Sequence, residues 1–417
     1  MPSFPHLLCA ALCVVCGWSI LHRSGPSYDE TEITFSDLAS KYDLIHDVVV
    51  AIKQDNIEYI EYRLTQISDP SNEFYGQYMT KEEVGMITAN KRATDAVTAY
   101  LRRIGVQIIS RSIHGEYITG RASIESWEKI LNTTFYELSR KSDKRKFFRA
   151  REYQISAEIG HFVSEIFNTV QIPPENILGN MHIKHHRGGS SMSRVTTITP
   201  ALLNAYYHID SNMGNENASQ SLFESLNQYY SDSDVTKFQD QYEISRSQVS
   251  HSYGMHESGV LCQFVPYQCA EANLDVQYLM AISQNTPTTI WYQPLTGDDV
   301  FLGWILAVAS NPNPPLVHSI SYGALERSMP LSYADAFNVE AIKLALQGVT
   351  IVASSGDDGV ANFKARSAAS ECGYNPTWPA SSAYVLSVGA SQGDMFDDSF
   401  ISGQTARSIV NLSIDSK

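Results

Sequence analysis

Hydrophobic and polar positions follow two different rhythms along this chain. In the first, residues 47–52 read as a strand and 57–67 carry apolar residues at helical spacing. Residues 93–104, with Val97, Tyr100 and Leu101 on one face, predict a second amphipathic helix. Residues 106–112 and 116–120 predict a hairpin around His114 and Gly115, followed by a helix over 124–131. Strands near 135–138 and 147–149 and a helix over 157–167 complete the series. A strand-helix-strand-strand-helix-strand order implies a split βαβ, ferredoxin-like α+β sheet.

From Thr199 the rhythm changes. Thr199 and Pro200 supply a cap and a first-turn proline for a short helix over 201–207. Candidate parallel strands are 289–292, 317–322, 350–354 and 384–388, with a helix over 333–347 ended by Gly348. Residues 349–353 are apolar on both faces, as a strand covered by helices should be. Strands alternating with helices imply a doubly wound α/β sheet with its site at the strands' carboxyl ends.

The segment between these regions is the natural boundary. Residues 178–198 are rich in Gly, Ser and basic residues, which makes an exposed, protease-sensitive linker. His182, His185 and His186 lie there without carboxylate or cysteine partners, so no metal site is read from them. At the N-terminus, an apolar run over residues 7–21 is short for a membrane span and reads as a signal-peptide core cleaved near Gly17. No other long apolar stretch exists, so no membrane attachment is expected after signal removal.

Charge sharpens the division. The net charge of −15 comes from 30 Lys and Arg against 45 Asp and Glu. Residues 1–194 hold 22 basic against 23 acidic residues, whereas residues 195–417 hold 8 against 22. The strongly acidic second half argues against nucleic-acid binding and suits work at low pH, where protonation relieves self-repulsion. The basic run over 141–151 reads either as a docking patch for the acidic half or as an exposed hairpin with solvated charges.

Three of the six cysteines, Cys9, Cys13 and Cys16, fall in the signal segment. Cys262 and Cys269 flank a short loop containing Pro266 and can close a local disulfide if the geometry allows, which leaves Cys372 unpaired. Sequons at Asn132, Asn217 and Asn411 fit passage through the secretory pathway.

The candidate chemistry is acidic. Glu271 and Asp275 stand four residues apart in a segment whose Ala270, Leu274, Val276 and Leu279 predict a helix, so both carboxyls share one face. Two like charges that close cannot both ionise freely, and a raised pKa suits a general base working in acid. Asp357, in Ser355-Gly356-Asp357-Asp358-Gly359, directly follows a predicted strand.

Together with Ser319-Ile320-Ser321-Tyr322-Gly323 and Asn375-Pro376-Thr377-Trp378-Pro379-Ala380-Ser381-Ser382, these motifs resemble in order and separation the sedolisin (serine-carboxyl) peptidases, and most closely the tripeptidyl-peptidase I branch. The stretch from Ser68 to Val84 resembles that family's activation propeptide. The resemblance implies a subtilisin-like, doubly wound, mostly parallel sheet preceded by a ferredoxin-like propeptide. It divides the chain into a signal peptide (1–17), a propeptide (28–177), a cleavable linker (178–198) and a partial peptidase domain (199–417). It implies that Glu271 is the general base, that Asp275 shares its proton, and that Asp357 donates from its protonated form to the tetrahedral oxyanion.

It further implies peptide or unfolded-protein substrates, a propeptide docked on its own peptidase domain, lysosomal, vacuolar or extracellular residence, and a calcium whose ligand region is absent. The family's nucleophile motif, Ser-Gly-Thr-Ser-x-x-x-Pro, does not occur in these 417 residues, and Ser402-Gly403-Gln404-Thr405 is only a partial echo. The expectation is therefore a C-terminally truncated peptidase precursor that is inactive as written, with apolar sheet edges left uncovered and poor independent folding of the second half. The alternative expectation is a short non-catalytic product acting as a propeptide-type inhibitor or binding protein.

Overall fold

The computed structural model describes residues 18–24, 33–38, 41–178, 198–254, 258–294, 299–359, 361, 363–366 and 368–390. The predicted signal segment, nearly all of the predicted linker, and Asn411 lie outside these residues. The chain divides into two compact units, the first running to Pro173 with two short excursions at 297–299 and 330–335, the second holding the rest from Pro174.

The N-terminal unit is built on an antiparallel four-stranded sheet. Its spatial order is Gln107–Arg111, Tyr117–Ser123, Ile45–Ile52 and Val163–Phe167, the ferredoxin-like arrangement. The helix Lys91–Arg103 forms because Asn90 accepts the Ala93 N–H at its start, and Ala93, Val97 and Leu101 then recur on one buried face. The helix Ile124–Leu131 is capped by Ser123, buries Ile124, Trp127 and Leu131, and stops where Asn132 turns left-handed at φ 45°. These faces meet Val48, Val50 and Ile118 in one core. A second, three-stranded antiparallel sheet joins Ile33–Ser36, Phe135–Arg140 and Lys146–Ala150.

Two expectations fail in this unit. The helix expected over 157–167 is only Ala157–Gly160; Val163–Phe167 is a strand. Pairing with Ile45–Ile52 at the sheet edge satisfies its backbone, and Val163, Ile166 and Phe167 are buried. Tertiary hydrogen bonding overrides a locally ambiguous apolar pattern there. The basic run is not simply a solvated hairpin either. Arg149 is buried, with its guanidinium donating to the carbonyls of Gln171 and Phe148, while Arg140 and Arg145 both pair with Asp143.

The C-terminal unit holds a six-stranded, wholly parallel sheet. Its order is His251–Tyr253, Thr288–Tyr292, Gln220–Glu224, Val317–Ile320, Thr350–Ser354 and Leu386–Val388. The first strand in sequence, Gln220–Glu224, is internal, so successive connections run to one side of it and then to the other. That reversal opens a crevice at the carboxyl ends of the central strands. Leu222 and Ile290 pack against Ala272, Val276 and Met280 of the helix Ala270–Ile282. Phe223 meets the rings of Phe301, Trp304 and Tyr322.

The expected strand over 317–322 breaks at Ser321. Val317–Ile320 stays in the parallel sheet, whereas Tyr322–Leu325 joins a small antiparallel sheet between Asn176–Leu178 and Thr377–Trp378. Thr350–Ser354 buries Ile351 and Ala353 and leaves Val352 half-buried, so its two faces are less alike than expected. On the sheet-edge strand Leu386–Val388, Leu386 and Val388 are exposed.

Candidate active site

The acids converge at the carboxyl ends of the parallel strands. Glu224 ends the strand Gln220–Glu224, Ser321 follows Val317–Ile320, and Asp357 follows Thr350–Ser354. The helix Ala270–Ile282 brings its first turn to the same place, with Glu271 and Asp275 one turn apart as the spacing predicts. A disulfide between Cys262 and Cys269, Cα atoms 5.5 Å apart, closes the loop just ahead of that helix. The Glu271 N–H donates to Gln228 Oε1 at 3.2 Å, and Gln228 Nε2 donates to the Tyr267 carbonyl at 3.2 Å, so one buried amide fixes the helix start to that loop.

Burial dominates the electrostatics. It pushes Glu271 well above the ordinary carboxylate range, and the charges of Asp275 and Asp357 push the same way. A first-turn position favours the ionised form of Glu271, but the helix macrodipole is a smaller effect than desolvation here. Burial also raises Asp275 to about 7, against a hydrogen bond from Ser321 that favours its anion. Asp357 is raised by burial, with Arg366 opposing and Asp358 reinforcing. The expected residues therefore interact: the charges of Asp275 and Asp357 both favour the protonated form of Glu271.

Sequence reasoning missed a fourth acid. Glu224 is fully buried, and burial followed by Asp275 raises its pKa strongly. Its Oε2 accepts the Tyr322 hydroxyl at 2.6 Å, and its Oε1 has no hydrogen-bond partner among the described residues. Asp275 Oδ2 is likewise buried and without a partner among them. A buried carboxyl oxygen without a donor penalises the charged form, in keeping with the raised pKa of both acids. The available signal was the acid closing the apolar run Leu222-Phe223; no motif marked it. Replacing Tyr322 by Phe removes the hydroxyl that donates to Glu224 Oε2 and should cost about 1–3 kcal/mol of stability, read from urea midpoints.

The remaining expected sites fall as follows. Cys372 is an exposed free thiol. Asn132 and Asn217 are exposed, and Asn132 Nδ2 donates to Gln154 Oε1 at 3.0 Å. Among the described residues, no cluster of three His, Cys, Asp or Glu could hold a metal ion. The antiparallel strand Asn176–Leu178, whose last residue opens the predicted linker, lies on Tyr322–Ala324, immediately beyond Ser321, and Glu175 pairs with Lys364 at 3.6 Å.

Residues 32–172 match the family described as pro-kumamolisin, activation domain. Tripeptidyl-peptidase 1 of Dictyostelium discoideum is 29% identical over 385 residues, covering 82% of this chain and 61% of that protein. The Homo sapiens tripeptidyl-peptidase 1 is 27% identical over 399 residues, covering 92% and 65% respectively. The chain thus spans less than two thirds of the length of these relatives. Among solved structures, a Pseudomonas sedolisin (serine-carboxyl proteinase) complexed with two molecules of pseudo-iodotyrostatin aligns at 19% identity and a TM-score of 0.37, covering 47% of this chain and 54% of that one. The chain is thus a homologue of the tripeptidyl-peptidase 1 proteins over most of its length, with residues 32–172 as a pro-kumamolisin activation domain.

Proposed function

We propose that this chain is the precursor of a serine-carboxyl peptidase that hydrolyses peptide bonds in acid, of the tripeptidyl-releasing type. The observation that carries the reading is the meeting of Glu271, Asp275 and Asp357 at the carboxyl ends of the parallel strands, all with raised pKa. Glu271 takes the proton of an attacking hydroxyl in the singly protonated form of the Glu271–Asp275 pair, in which Asp275 holds the one proton that the two share. Asp357, protonated, donates to the oxyanion; ionised, it would repel the developing charge, which confines the chemistry to acid. The activation unit restrains its own peptidase unit until the linker over 178–198 is cut. Pairing of Asn176–Leu178 beside Ser321 and Tyr322 supports this, since an extended segment there lies along the edge next to the acids. Passage through the secretory pathway to a lysosomal or extracellular site, with glycans at Asn132, Asn217 and Asn411, accompanies this reading.

The 417 residues contain no Ser-Gly-Thr-Ser, so this polypeptide holds the acid half of the apparatus without its expected nucleophile. After linker cleavage, it should release no tripeptide from a free N-terminal peptide at pH 4–5 and should not react with a fluorophosphonate. Turnover abolished by Glu271→Gln, or labelling of Ser321, would overturn that. The second reading, inhibition in trans, is favoured by an activation domain that folds as a compact unit here. Slowing of an intact tripeptidyl peptidase by the uncleaved chain would support it.

A further inference from the structure

Beside Asp357 stands a pair of charges that the proposed chemistry does not use. Arg366, at the end of the short turn Phe363–Arg366, gives both arms of its guanidinium to Asp358: Nε to Oδ1 at 2.6 Å and Nη2 to Oδ2 at 2.7 Å. The same Nη2 stands 3.9 Å from Asp357 Oδ2, within ion-pair range and beyond hydrogen-bonding reach. The side chains of Arg366, Asp357 and Asp358 are 24%, 34% and 21% exposed, so solvent screens these charges only in part.

The arrangement sets a chemical problem and its solution side by side. An oxyanion donor must keep its proton, yet an unshared cation within about 4–6 Å lowers a carboxyl pKa by roughly 1–3 units. A guanidinium whose fork is filled by another carboxylate is largely neutralised and is held in a fixed plane. We propose that Asp358 is a positioning residue that captures Arg366, and that this capture keeps Asp357 protonated and sets the upper pH limit at which it can donate. This rests on the assignment of Asp357 to the oxyanion made above. The charged groups acting on Asp357 are Arg366 from the turn and Asp358 next to it in sequence, and Asp357 in turn raises Glu271 on the helix Ala270–Ile282. Consistent with the geometry, burial raises Asp357, Arg366 pulls it down and Asp358 pushes it up.

The test is the titration of Asp357 in the full chain, followed by carbon-13 NMR of carboxyl-labelled aspartate, with Asp357→Asn identifying its resonance. Asp358→Asn frees Arg366 and should lower the Asp357 midpoint by about 1 pH unit or more. Arg366→Gln leaves Asp358 an unpaired anion beside Asp357 and should raise it by a similar amount. The double variant should return close to the parent value. Both single variants break the same ion pair, so loss of loop structure would move the midpoint in one direction; opposite signs require the charge mechanism. Shifts of the same sign, or none, would sink the proposal while leaving the oxyanion assignment standing. A parent Asp357 that titrates in the ordinary carboxylate range would remove that assignment as well.

Discussion

Acidifying the protein from pH 7 to pH 4 should stabilise its C-terminal unit. Asp275 is raised from 3.8 to about 7, so the folded unit binds a proton there that the unfolded chain does not. A raised carboxyl contributes its stability in full below the unfolded pKa and loses it as pH rises through the folded one. For Asp275 that amounts to about 4 kcal/mol across the window. Burial holds His318 at about 4, the opposite case, since its neutral ring is buried with Nδ1 bonded to Ser221 Oγ at 2.5 Å. A depressed histidine loses its contribution as pH falls from 6.5 towards 4, about 3 kcal/mol in the other direction. Asp275 and His318 nearly cancel. Glu271 and Glu224, both raised strongly, decide the sign in favour of acid, although coupled acids do not add in full. Hydrogen exchange measured in the full chain at pH 4.5 and 7, corrected for intrinsic rates, should show Gln220–Glu224 and Ala270–Ile282 better protected in acid. Greater protection at pH 7 would refute this.

The N-terminal unit should respond in the opposite sense, and His46 is the reason. Its Nε2 lies 2.7 Å from the Asn168 carbonyl, which can only accept, so the neutral ring carries its proton there. A second proton would fall on Nδ1, with the rings of Phe135 and Phe148 edge-on to the imidazole. Burial, then the Arg149 charge, lowers His46 to about 4, while the Asn168 carbonyl and Asp47 act the other way. The unit should therefore lose about 3 kcal/mol as pH falls from 6.5 to 4. Asp143 is lowered on balance, burial opposing and Arg140 and Arg145 prevailing, so its contribution goes only below the ordinary carboxylate pKa and does not enter this window. His46→Gln can still donate to the Asn168 carbonyl and cannot titrate. It should flatten the acid loss of protection in Ile45–Ile52 and Val163–Phe167; an unchanged profile would clear His46 of the role. On the function proposed above, acid then loosens the activation unit while firming the acid-bearing one, as release of a zymogen in acid requires.

Much of this was legible locally. The stripe of Ala270, Val276 and its neighbours, with Glu271 and Asp275 at i and i+4, gave both the helix and the paired acids. Thr199 caps its helix as expected, its hydroxyl accepting the Leu202 N–H at 3.1 Å, and Thr350–Ser354 is the strand that delivers Asp357. The failures share a cause. Gln220–Glu224 is too short and too uniformly buried to show a period, so its acid went unread. Val163–Phe167 looked like the tail of a helix until a strand more than a hundred residues earlier paired with it. Neither reading of the basic run, docking patch or solvated hairpin, anticipated a buried Arg149, because nothing near it in sequence reveals the Gln171 carbonyl it serves.

By itself the sequence determined which carboxyls exist, which two share a helix face and which one follows a strand, because backbone periodicity acts over a few residues. Only the tertiary structure decided their protonation. Desolvation and charge coupling depend on groups remote in sequence: Tyr322 reaches Glu224 across 98 positions, and Asp357 acts on Glu271 from a different strand end. Removing water from several acids at once is what turns a spacing into a chemistry.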